Sequence, residues 1–356
     1  MKLLSRYVVA ENLSAESWNS FLNKFTEGNF LQCFEYGEIA KIANPRKKVV
    51  RLSITYDGEP VGIVQGIYPV YFGFGTTLRV DWGPIMNPES GANLQLVVSL
   101  LKKLEDCCRR RQIIHAQFSV PDSFQLHGIF HKMNYVSAGK SNEYVVNLKE
   151  GVQRLWMNIH HNKRRNIKKA LEEGVEIVQS HRNEDLTTFY SLLEASAKRR
   201  GFNPYPHSMF ETIWKTYKPE LSKVFLAHWK GKTVSGVFVV IHGKTVYALG
   251  AGSFATGWGA RPNDLLHWKV MEWASKNGYF QYNMGGVDEP PPTKESTKWG
   301  IWRWKREWKG SLEKIETFNK IILPQYKPML QARDLGYKGI IRLNSIFDYL
   351  KRNLKI

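Results

Sequence analysis

Cysteine, long apolar runs and acidic charge are all in short supply in this 356-residue sequence. Three cysteines are too few for a disulfide framework, and they do not have the spacing of a metal site. The longest apolar stretch, residues 61–75, is interrupted by a glutamine and a proline, so no run approaches the roughly 20 apolar residues of a membrane-spanning helix. The N-terminus is too short and too interrupted for a signal peptide. We therefore expect a soluble protein of the reducing cytoplasm.

Common catalytic and nucleotide-binding motifs are also absent. The sequence has no GxxxxGK(S/T) loop, no GxGxxG between a strand and a helix, no GxSxG and no HExxH. Residues 249–253 (LGAGS) follow a predicted strand but do not lead directly into a helix, so we interpret them as a turn. His160 and His161 are adjacent and would point about 100° apart on a helix, a poor arrangement for a metal. The sequence therefore favours chemistry without a metal, a P-loop or a Ser-His pair.

Basic residues outnumber acidic ones by a wide margin. Lys and Arg total 51 against 32 Asp and Glu, which gives a formal net charge of +19. Such an excess favours an anionic partner: nucleic acid, a nucleotide-bearing substrate or an anionic lipid surface. The cations cluster at residues 102–111, 163–169, 198–200 and 298–309. Four clusters predict a broad basic face, although for any one cluster alone a solvated helix end is the favoured interpretation.

Two stretches of the chain share one plan. In the first, a hairpin turns at Asp57–Gly58, a pair that supplies the positive φ of a tight turn, and a helix over about 91–111 follows. In the second, strands turn at Lys230–Gly231 and His242–Gly243, and a helix covers about 262–278. A further strand follows each helix. The repeated order predicts an α+β fold of two similar domains.

The predicted join between the domains lies near residue 150. We assign residues 1–150 to a first domain, 151–320 to a second, and 321–356 to a C-terminal helical segment. That segment is amphipathic and is expected to pack back on the first domain, with a membrane surface as the alternative. No Pro/Ser-rich linker separates the domains, so they are expected to pack closely. No heptad repeat is sustained, so a coiled-coil arm is not expected.

One predicted helix, over about 152–173, concentrates positive charge. Its cations are Lys163, Arg164, Arg165, Lys168 and Lys169. Its predicted buried stripe consists of Leu155, Ile159, Ile167 and Leu171. Five cations in seven residues exceed what solubility requires. We interpret them as contacts to nucleic acid or polyphosphate, with a solvated helix face as the alternative.

Tryptophans and cations alternate over residues 298–310 (KWGIWRWKREWKG). We predict a strand over 301–308, with Trp302 and Trp304 on one face and Lys305 on the other. A lysine flanked by large aromatic rings has partly dry surroundings, where its charge stabilises an oxyanion more strongly than in water. The alternative is a basic edge strand whose tryptophans fill the core.

Together these segments resemble the FemABX family, the tRNA-dependent aminoacyltransferases that build the interpeptide bridges of peptidoglycan. The resemblance covers about residues 29–318, and its parts follow the family's order. The matching parts are Phe30, Leu31 and Gln32 with Tyr36 and Lys41, the turn Trp82–Gly83–Pro84, NKRRNIKKALEEGVEI, LLEASAKRRGF, RPNDLLHWKVMEWASKNG, NMGGV and the pair Trp304–Lys305.

The resemblance implies a fold of two GNAT-like domains and transfer of an aminoacyl group from aminoacyl-tRNA to an amine. The implied acceptor is a peptidoglycan precursor, either a UDP-MurNAc-peptide or its lipid-linked form. No cofactor is implied beyond the aminoacyl-tRNA donor. The implied location is the cytoplasm, with peripheral contact at the inner face of the membrane.

The resemblance also implies roles for individual residues. Lys305 would stabilise the negative charge that develops as the amine attacks the ester, and Trp304 would shape the site. The five cations of the basic helix would hold tRNA or a pyrophosphate. The implied acceptor-binding residues are Lys41, which would pair with a phosphate, and Tyr36, Gly83, Ser119, Tyr205 and Arg261. Ser119 and Tyr205 lie where relatives can carry charged side chains, so the differences concentrate on the acceptor side.

Two other functions remain open from the sequence. The first is an enzyme of the same fold that uses acyl-CoA or an acyl carrier to modify a sugar, lipid or peptide amine. Against it, the sequence lacks the R/Q-x-x-G-x-G/A loop that binds the pyrophosphate of acetyl-CoA. The second is a noncatalytic, basic nucleic-acid-binding protein. The amino acid transferred and the oligomeric state are not specified by any of these patterns.

Overall fold

The computed structural model describes residues 7–326, except residues 12, 26–27, 72–73, 88–93, 181 and 289. Most of the predicted C-terminal segment, residues 321–356, therefore lies outside the described residues. The described part of the chain contains thirteen β-strands and ten α-helices, with four short 3-10 helices between them.

The bounds of these elements follow the chain order. The strands are β1 (Tyr7–Ala10), β2 (Lys47–Tyr56), β3 (Glu59–Tyr71), β4 (Phe74–Asp81), β5 (Ile85–Met86), β6 (Ile113–Pro121), β7 (Val136–Asn147), β8 (Glu176–Ser180), β9 (Ser222–Trp229), β10 (Lys232–His242), β11 (Thr245–Ser253), β12 (Gln281–Val287) and β13 (Ser311–Ile321). The helices are α1 (Ala15–Leu22), α2 (Phe34–Ala43), α3 (Leu94–Arg110), α4 (His127–Lys132), α5 (Gly151–Asn158), α6 (His161–Glu172), α7 (Asn183–Arg200), α8 (His207–Leu221), α9 (Pro262–Lys276) and α10 (Trp299–Arg306).

All thirteen strands belong to one sheet. Its order is β1-β2-β3-β4-β6-β13-β7-β12-β11-β10-β9-β8, and β5 pairs with β3 beside this path. We refer to β1–β6 with α1–α4 as the first half and to β8–β12 with α5–α9 as the second half. In each half an antiparallel run of strands leads through one helix to a parallel neighbour, β4 to β6 through α3 and β11 to β12 through α9. The duplicated plan and the α+β class predicted from the sequence are confirmed.

The two strands in the middle of the sheet join the halves. β7 follows the first half in sequence but pairs with β12 of the second, and β13 follows the second half but pairs with β6 of the first. β7 and β13 also pair with each other. The halves are therefore connected by continuous main-chain hydrogen bonding. The linear domain boundaries near residues 150 and 320 stay a prediction.

Three hydrophobic clusters cover the sheet. One packs α3 and α4 on the first half, around Leu100, Phe118 and Phe130, and a second packs α5, α6 and α9 on the second half. The third cluster contains residues of both halves, and within it the ring of Phe30 lies 5.0 Å from the ring of Tyr247. Side-chain packing thus reinforces the connection made by β7 and β13.

Several local predictions can be compared with the structure. The turns predicted at Asp57–Gly58 and Lys230–Gly231 are confirmed, and all four residues have positive φ. The helix predicted over 152–173 is wrong as a single element. It is interrupted at Ile159, and the side chain of His160 accepts a hydrogen bond from the main chain of Asn162 to cap α6. Leu171, predicted to be buried, is 54% exposed.

The cysteines and the helix lengths can also be compared with the sequence. All three cysteines are unpaired and buried, and burial raises the pKa of the Cys33 and Cys108 thiols to about 12. Among the helices of the described residues, none is both long enough and apolar enough to cross a membrane.

Residues 249–253 do not form the predicted turn. They continue β11, and their glycines let α7 lie directly on the strand. A Cβ atom added at Gly252 would lie 2.3 Å from the main-chain carbonyl of Leu192 in α7. Glycine is therefore required here by close packing of a helix on a strand and not by a phosphate.

We expect Gly252→Ala to lower the free energy of unfolding by about 1–3 kcal/mol, because main chain cannot move aside as a flexible side chain can. Gly128→Ala is the matched control. No atom lies within 4 Å of its added Cβ, and alanine at this position in α4 should be neutral or stabilise by up to about 1 kcal/mol. Urea unfolding of both variants measures the difference. Equal stabilities would contradict the packing argument.

Candidate functional site

A cavity of about 900 Å³ opens in the second half of the molecule. It is bordered by the segment after α7, the glycine-rich end of β11, the first turn of α9, the end of β12 and helix α10. The polar and aromatic side chains that line it include Arg200, Tyr205, Arg261, Asp264, His267, Trp304 and Lys305. The cavity therefore brings together segments that the sequence analysis identified separately.

The strand predicted over residues 301–308 is wrong, because this segment is helical. α10 covers Trp299–Arg306, and its first turn is preceded by Ser296, which accepts hydrogen bonds from the next residues. Ile301, Trp304, Lys305 and Trp308 recur at the i, i+3, i+4, i+7 spacing of a helix face and are turned towards the protein. Trp304 and Lys305 therefore share one face instead of lying on opposite ones.

Main-chain carbonyls of β12 hold the ammonium of Lys305. Its Nζ donates to the oxygen of Gly285 at 3.1 Å and to that of Gly286 at 2.6 Å. These carbonyls belong to a bulge in β12, where the register shifts between Asn283 and Gly286 and Gly285 adopts a φ of 73°. In the described part of the chain the third ammonium hydrogen is bonded to no further acceptor, so it is available to an oxygen that develops negative charge.

A second network connects Lys305 to a carboxylate. Glu143 of β7 lies opposite Gly286, and its Oε2 accepts a 2.6 Å hydrogen bond from the Asn283 side chain. The Asn283 Oδ1 in turn accepts from the main chain of Gly285 at 2.8 Å. Burial raises the pKa of Glu143, while its neighbours Asn283 and Lys305 act against that rise.

Burial also determines the titration of Lys305. Only 8% of this residue is exposed. Burial lowers the pKa of its ammonium to about 8; Glu143 opposes this decrease and Arg200 adds to it. The side chain therefore stays cationic at neutral pH and becomes neutral within a pH range that an experiment can reach.

Lys163, predicted to contact an anion at the surface, is instead fully buried. Its ammonium donates to Asp264 Oδ1 at 2.6 Å and lies 3.3 Å from Glu307 Oε2. It also lies 4.6 Å from the ring centroid of Trp304. Lys163 precedes the buried residue Ile167 by one helical turn, so it belongs to the inner face of α6.

The other four cations of α6 divide into two groups. Arg164 donates to three carbonyls near the end of α5, those of Trp156, Met157 and Ile159, and so caps that helix. The remaining three, Arg165, Lys168 and Lys169, are exposed. With Arg164, Trp156, His161 and two glutamates they line a surface groove of about 820 Å³. Binding of tRNA or phosphate there stays a prediction.

Three of the six predicted acceptor-binding residues gather around one carboxylate. Ser119 donates to Asp81 Oδ1 at 2.9 Å. Burial raises the pKa of the Tyr36 and Tyr205 hydroxyls, and the charge of Asp81 raises both further. Glu143 adds to the rise at Tyr205. Residues from both halves of the molecule thus converge near Asp81.

The other three predicted acceptor-binding residues have different surroundings. Gly83 packs so closely on Gln32 that an added Cβ would lie 3.0 Å from its side chain. Lys41 forms an ion pair with Glu38 within α2. Arg261 is exposed at the rim of the 900 Å³ cavity, immediately before α9. Their roles in acceptor binding stay predictions.

Sequence reasoning missed Asp264, Glu143 and Asn283. The i, i+4, i+7 spacing of Lys163, Ile167 and Ala170 was a usable signal, because it predicts a lysine on a buried helix face that needs an acidic partner. No comparable signal marks Glu143 and Asn283. They meet only through the pairing of β7 with β12, 140 residues apart in sequence.

Several known proteins are similar to this chain in sequence or in fold. Residues 158–306 match a family described as "Acetyltransferase (GNAT) domain". The chain is 19% identical to a lipid II:glycine glycyltransferase of Staphylococcus haemolyticus, over 94% of this chain and 98% of that protein. It is 22% identical to a UDP-N-acetylmuramoylpentapeptide-lysine N(6)-alanyltransferase of Weissella viridescens, over 42% of this chain and 45% of that protein. A crystal structure of FemX superposes with a TM-score of 0.77 at 17% identity, over 90% of this chain and 99% of FemX.

The matched GNAT domain contains both α6 and α10, and with the transferase relatives it defines the protein as an acyltransferase of the GNAT fold. The full-length similarity to the glycyltransferase and the match to the FemX fold confirm the more specific resemblance found in the sequence. Over most of its length the chain is therefore similar to the FemABX transferases, and its fold is that of FemX. The described residues include no coiled-coil arm.

We expect Lys305 to titrate near pH 8, below the range of an exposed lysine, because burial disfavours its charge. Glu143→Gln should lower its pKa further by removing an attractive charge. Arg200→Gln should raise it by removing a repulsive one. Competitive acetylation with acetic anhydride over a pH series, quantified by peptide mass spectrometry, measures these pKa values, with the exposed Lys168 as internal reference for reagent reactivity. Shifts of the same sign in both variants would contradict this account of the site.

Proposed function

We propose that this protein transfers an amino acid from aminoacyl-tRNA to an amine of a peptidoglycan precursor, as in interpeptide bridge formation. The observation that carries the proposal is Lys305, a buried cation beside Trp304 at a cavity of about 900 Å³. The fold around it is that of FemX, and the similarity to the staphylococcal glycyltransferase extends over almost the whole of both chains.

The geometry of Lys305 suits acyl transfer from an activated ester. The acceptor amine attacks the ester carbonyl, a carbon–nitrogen bond forms, and negative charge develops on the carbonyl oxygen. The remaining ammonium hydrogen of Lys305 stabilises that charge from a largely buried position, where the interaction is stronger than in bulk water. The bond to the ribose oxygen then breaks, and the proton that the amine loses balances the one that this oxygen gains. Binding both substrates in one orientation supplies much of the remaining acceleration.

The surface charges are compatible with the two substrates. The groove along α6, with Arg165, Lys168 and Lys169 exposed, is suited to a polyanionic donor such as tRNA. The names of the relatives supply the acceptor class, since one is named for lipid II and the other for a lysine of UDP-N-acetylmuramoylpentapeptide. In this proposal the protein acts in the cytoplasm, at the inner face of the membrane when the precursor carries its lipid.

A second candidate is transfer from acyl-CoA on the same fold. It is favoured by the family description, an acetyltransferase domain over residues 158–306. The two candidates use the same oxyanion chemistry and differ in the donor. An experiment that varies the acyl donor therefore distinguishes the two candidates.

Transfer from charged tRNA is the first expectation. A labelled mixture of amino acids, charged onto tRNA, should label purified UDP-MurNAc-pentapeptide or its lipid-linked form in the presence of the protein. Treatment with RNase should abolish the labelling, and the labelled product identifies the amino acid. Labelling only in parallel reactions that contain acetyl-CoA would support the second candidate. Absence of labelling from every donor would contradict both.

Substitutions should distinguish the role of Lys305 from that of Lys168 and Lys169. Lys305→Ala should lower kcat by about 100- to 1,000-fold, as expected for loss of an oxyanion donor, and leave RNA affinity nearly intact. The double variant Lys168→Ala/Lys169→Ala should bind RNA more weakly, with a less steep dependence of affinity on salt. Steady-state transfer kinetics and RNA binding at several salt concentrations measure both effects. If Lys305→Ala affects RNA binding as the double variant does, the noncatalytic alternative is favoured.

A further inference from the structure

The buried ammonium of Lys163 connects three helices. Lys163 itself belongs to α6, Asp264 to the first turn of α9, and Glu307 follows α10. The Lys163 ammonium bonds to Asp264 at 2.6 Å and lies 3.3 Å from the Glu307 carboxylate. Its exposed fraction is 0%, so it is inaccessible to a macromolecule bound at the surface.

Stability alone is a poor explanation for this cluster. Transferring a lysine and a carboxylate out of water costs free energy that their attraction only partly repays, and well-packed apolar residues often serve as well or better. An apolar pair could fill the same volume against the rings of Trp304 and Trp308. It could not supply a directional hydrogen-bond acceptor. The retained charges therefore point to a geometric requirement nearby.

The geometric requirement is the orientation of the Trp304 indole. Asp264 Oδ1 accepts hydrogen bonds from both Lys163 Nζ and the indole Nε1 of Trp304, the latter at 2.9 Å, and Asp264 Oδ2 accepts from Asn166 at 3.1 Å. Lys163 thus orients the Asp264 carboxylate, which in turn orients the Trp304 indole. Trp304 immediately precedes Lys305 in α10, and both line the 900 Å³ cavity.

Further contacts restrain the ring of Trp304 and the C-terminal end of α10. The His267 ring packs edge-on against Trp304 at 4.8 Å, and His267 Nδ1 lies 2.7 Å from the hydroxyl of Tyr282 in β12. Burial lowers the pKa of His267 to about 3, so it packs as a neutral ring. The main-chain carbonyl of Glu307 accepts from His160 at 2.9 Å, which ties the end of α10 to the start of α6. Lys305 is therefore restrained on both sides along the helix.

We propose that Lys163 and Asp264 are positioning residues for the transfer reaction: their buried ion pair orients Trp304 and, through α10, places the Lys305 ammonium at the carbonyls of the β12 bulge. Lys163 makes no contact with RNA. This inference rests on the proposed function for its kinetic consequences, but the placement of Lys305 can be measured without any substrate.

Transfer kinetics distinguish positioning from RNA contact. Lys163→Met should lower kcat by about 100-fold, the loss that a misplacement of about 1 Å causes, and leave RNA affinity and its salt dependence as in the wild type. Lys168→Met, on the exposed face of the same helix, is the matched comparison and should weaken RNA binding. The opposite assignment, with weaker RNA binding and unchanged kcat for Lys163→Met, would overturn the proposal.

Trp304→Phe tests the link without leaving a buried charge unpaired. It removes the indole donor and keeps the Lys163–Asp264 pair, so it remains informative if Lys163→Met does not fold. It should lower kcat to a similar degree without a large change in the urea unfolding midpoint. If Lys163→Met folds, combining the two should lower kcat little further than either alone, because both interrupt one connection. Additive losses, or unchanged kcat in Trp304→Phe, would contradict the inference.

The placement of Lys305 supplies a readout that is independent of catalysis. In Trp304→Phe, and in Lys163→Met if it folds, Lys305 should be acetylated faster than in the wild type and its pKa should rise towards that of an exposed lysine. An unchanged labelling rate and pKa in the folded variants would overturn the positioning role even if no transfer from tRNA is found. Absence of transfer in the wild type, together with altered labelling in the variants, would refute the proposed function alone.

Discussion

The pairing of β7 with β12 is the interaction on which the arrangement of the site depends. It connects the two halves through the main chain and places Glu143 opposite the bulge whose carbonyls hold Lys305. A shift of one residue in this register would turn Glu143 to the other face of the sheet. The third hydrophobic cluster, which contains side chains of both halves, connects them a second time. The geometry around Lys305 is therefore a property of the whole molecule and not of the second half alone.

The two buried lysines are held by different kinds of partner, and this difference separates their chemistry. Lys163 is neutralised by the carboxylates of Asp264 and Glu307, so its charge is compensated locally and serves structure. Lys305 is held by two main-chain carbonyls, which orient the ammonium without cancelling its charge. A cation stabilised by dipoles retains most of its field in a low-dielectric site. Of the two, only Lys305 is suited to stabilise a developing anion.

Local patterns predicted most elements of the fold and the pair Trp304–Lys305, but not the contacts that surround Lys305. The turns at Asp57–Gly58 and Lys230–Gly231 need positive φ, which adjacent residue types reveal, and α9 begins at a proline and ends before a glycine. Around Lys305, Trp302, Trp304 and Trp308 stand at even positions, which predicts a strand with a period of two and masks the helical face that the structure shows. Glu143 and Asn283 could not be predicted in contact, because their proximity depends on strand pairing across 140 residues. Long-range register is not encoded in any local spacing.

The depressed pKa of Lys305 also limits the conditions for the proposed reaction. The ammonium must be protonated to stabilise an oxyanion, so its contribution is complete well below pH 8 and declines as the pH rises through that value. The acceptor amine must be unprotonated to attack, which becomes more favourable as the pH rises. Glu143 keeps these demands compatible, since its negative charge raises the pKa of Lys305 against the effect of burial. Glu143 of β7 thus preserves the positive charge of Lys305, which the carbonyls of β12 orient. The pairing of β7 with β12 therefore determines the chemistry of the site as well as the connection between the halves.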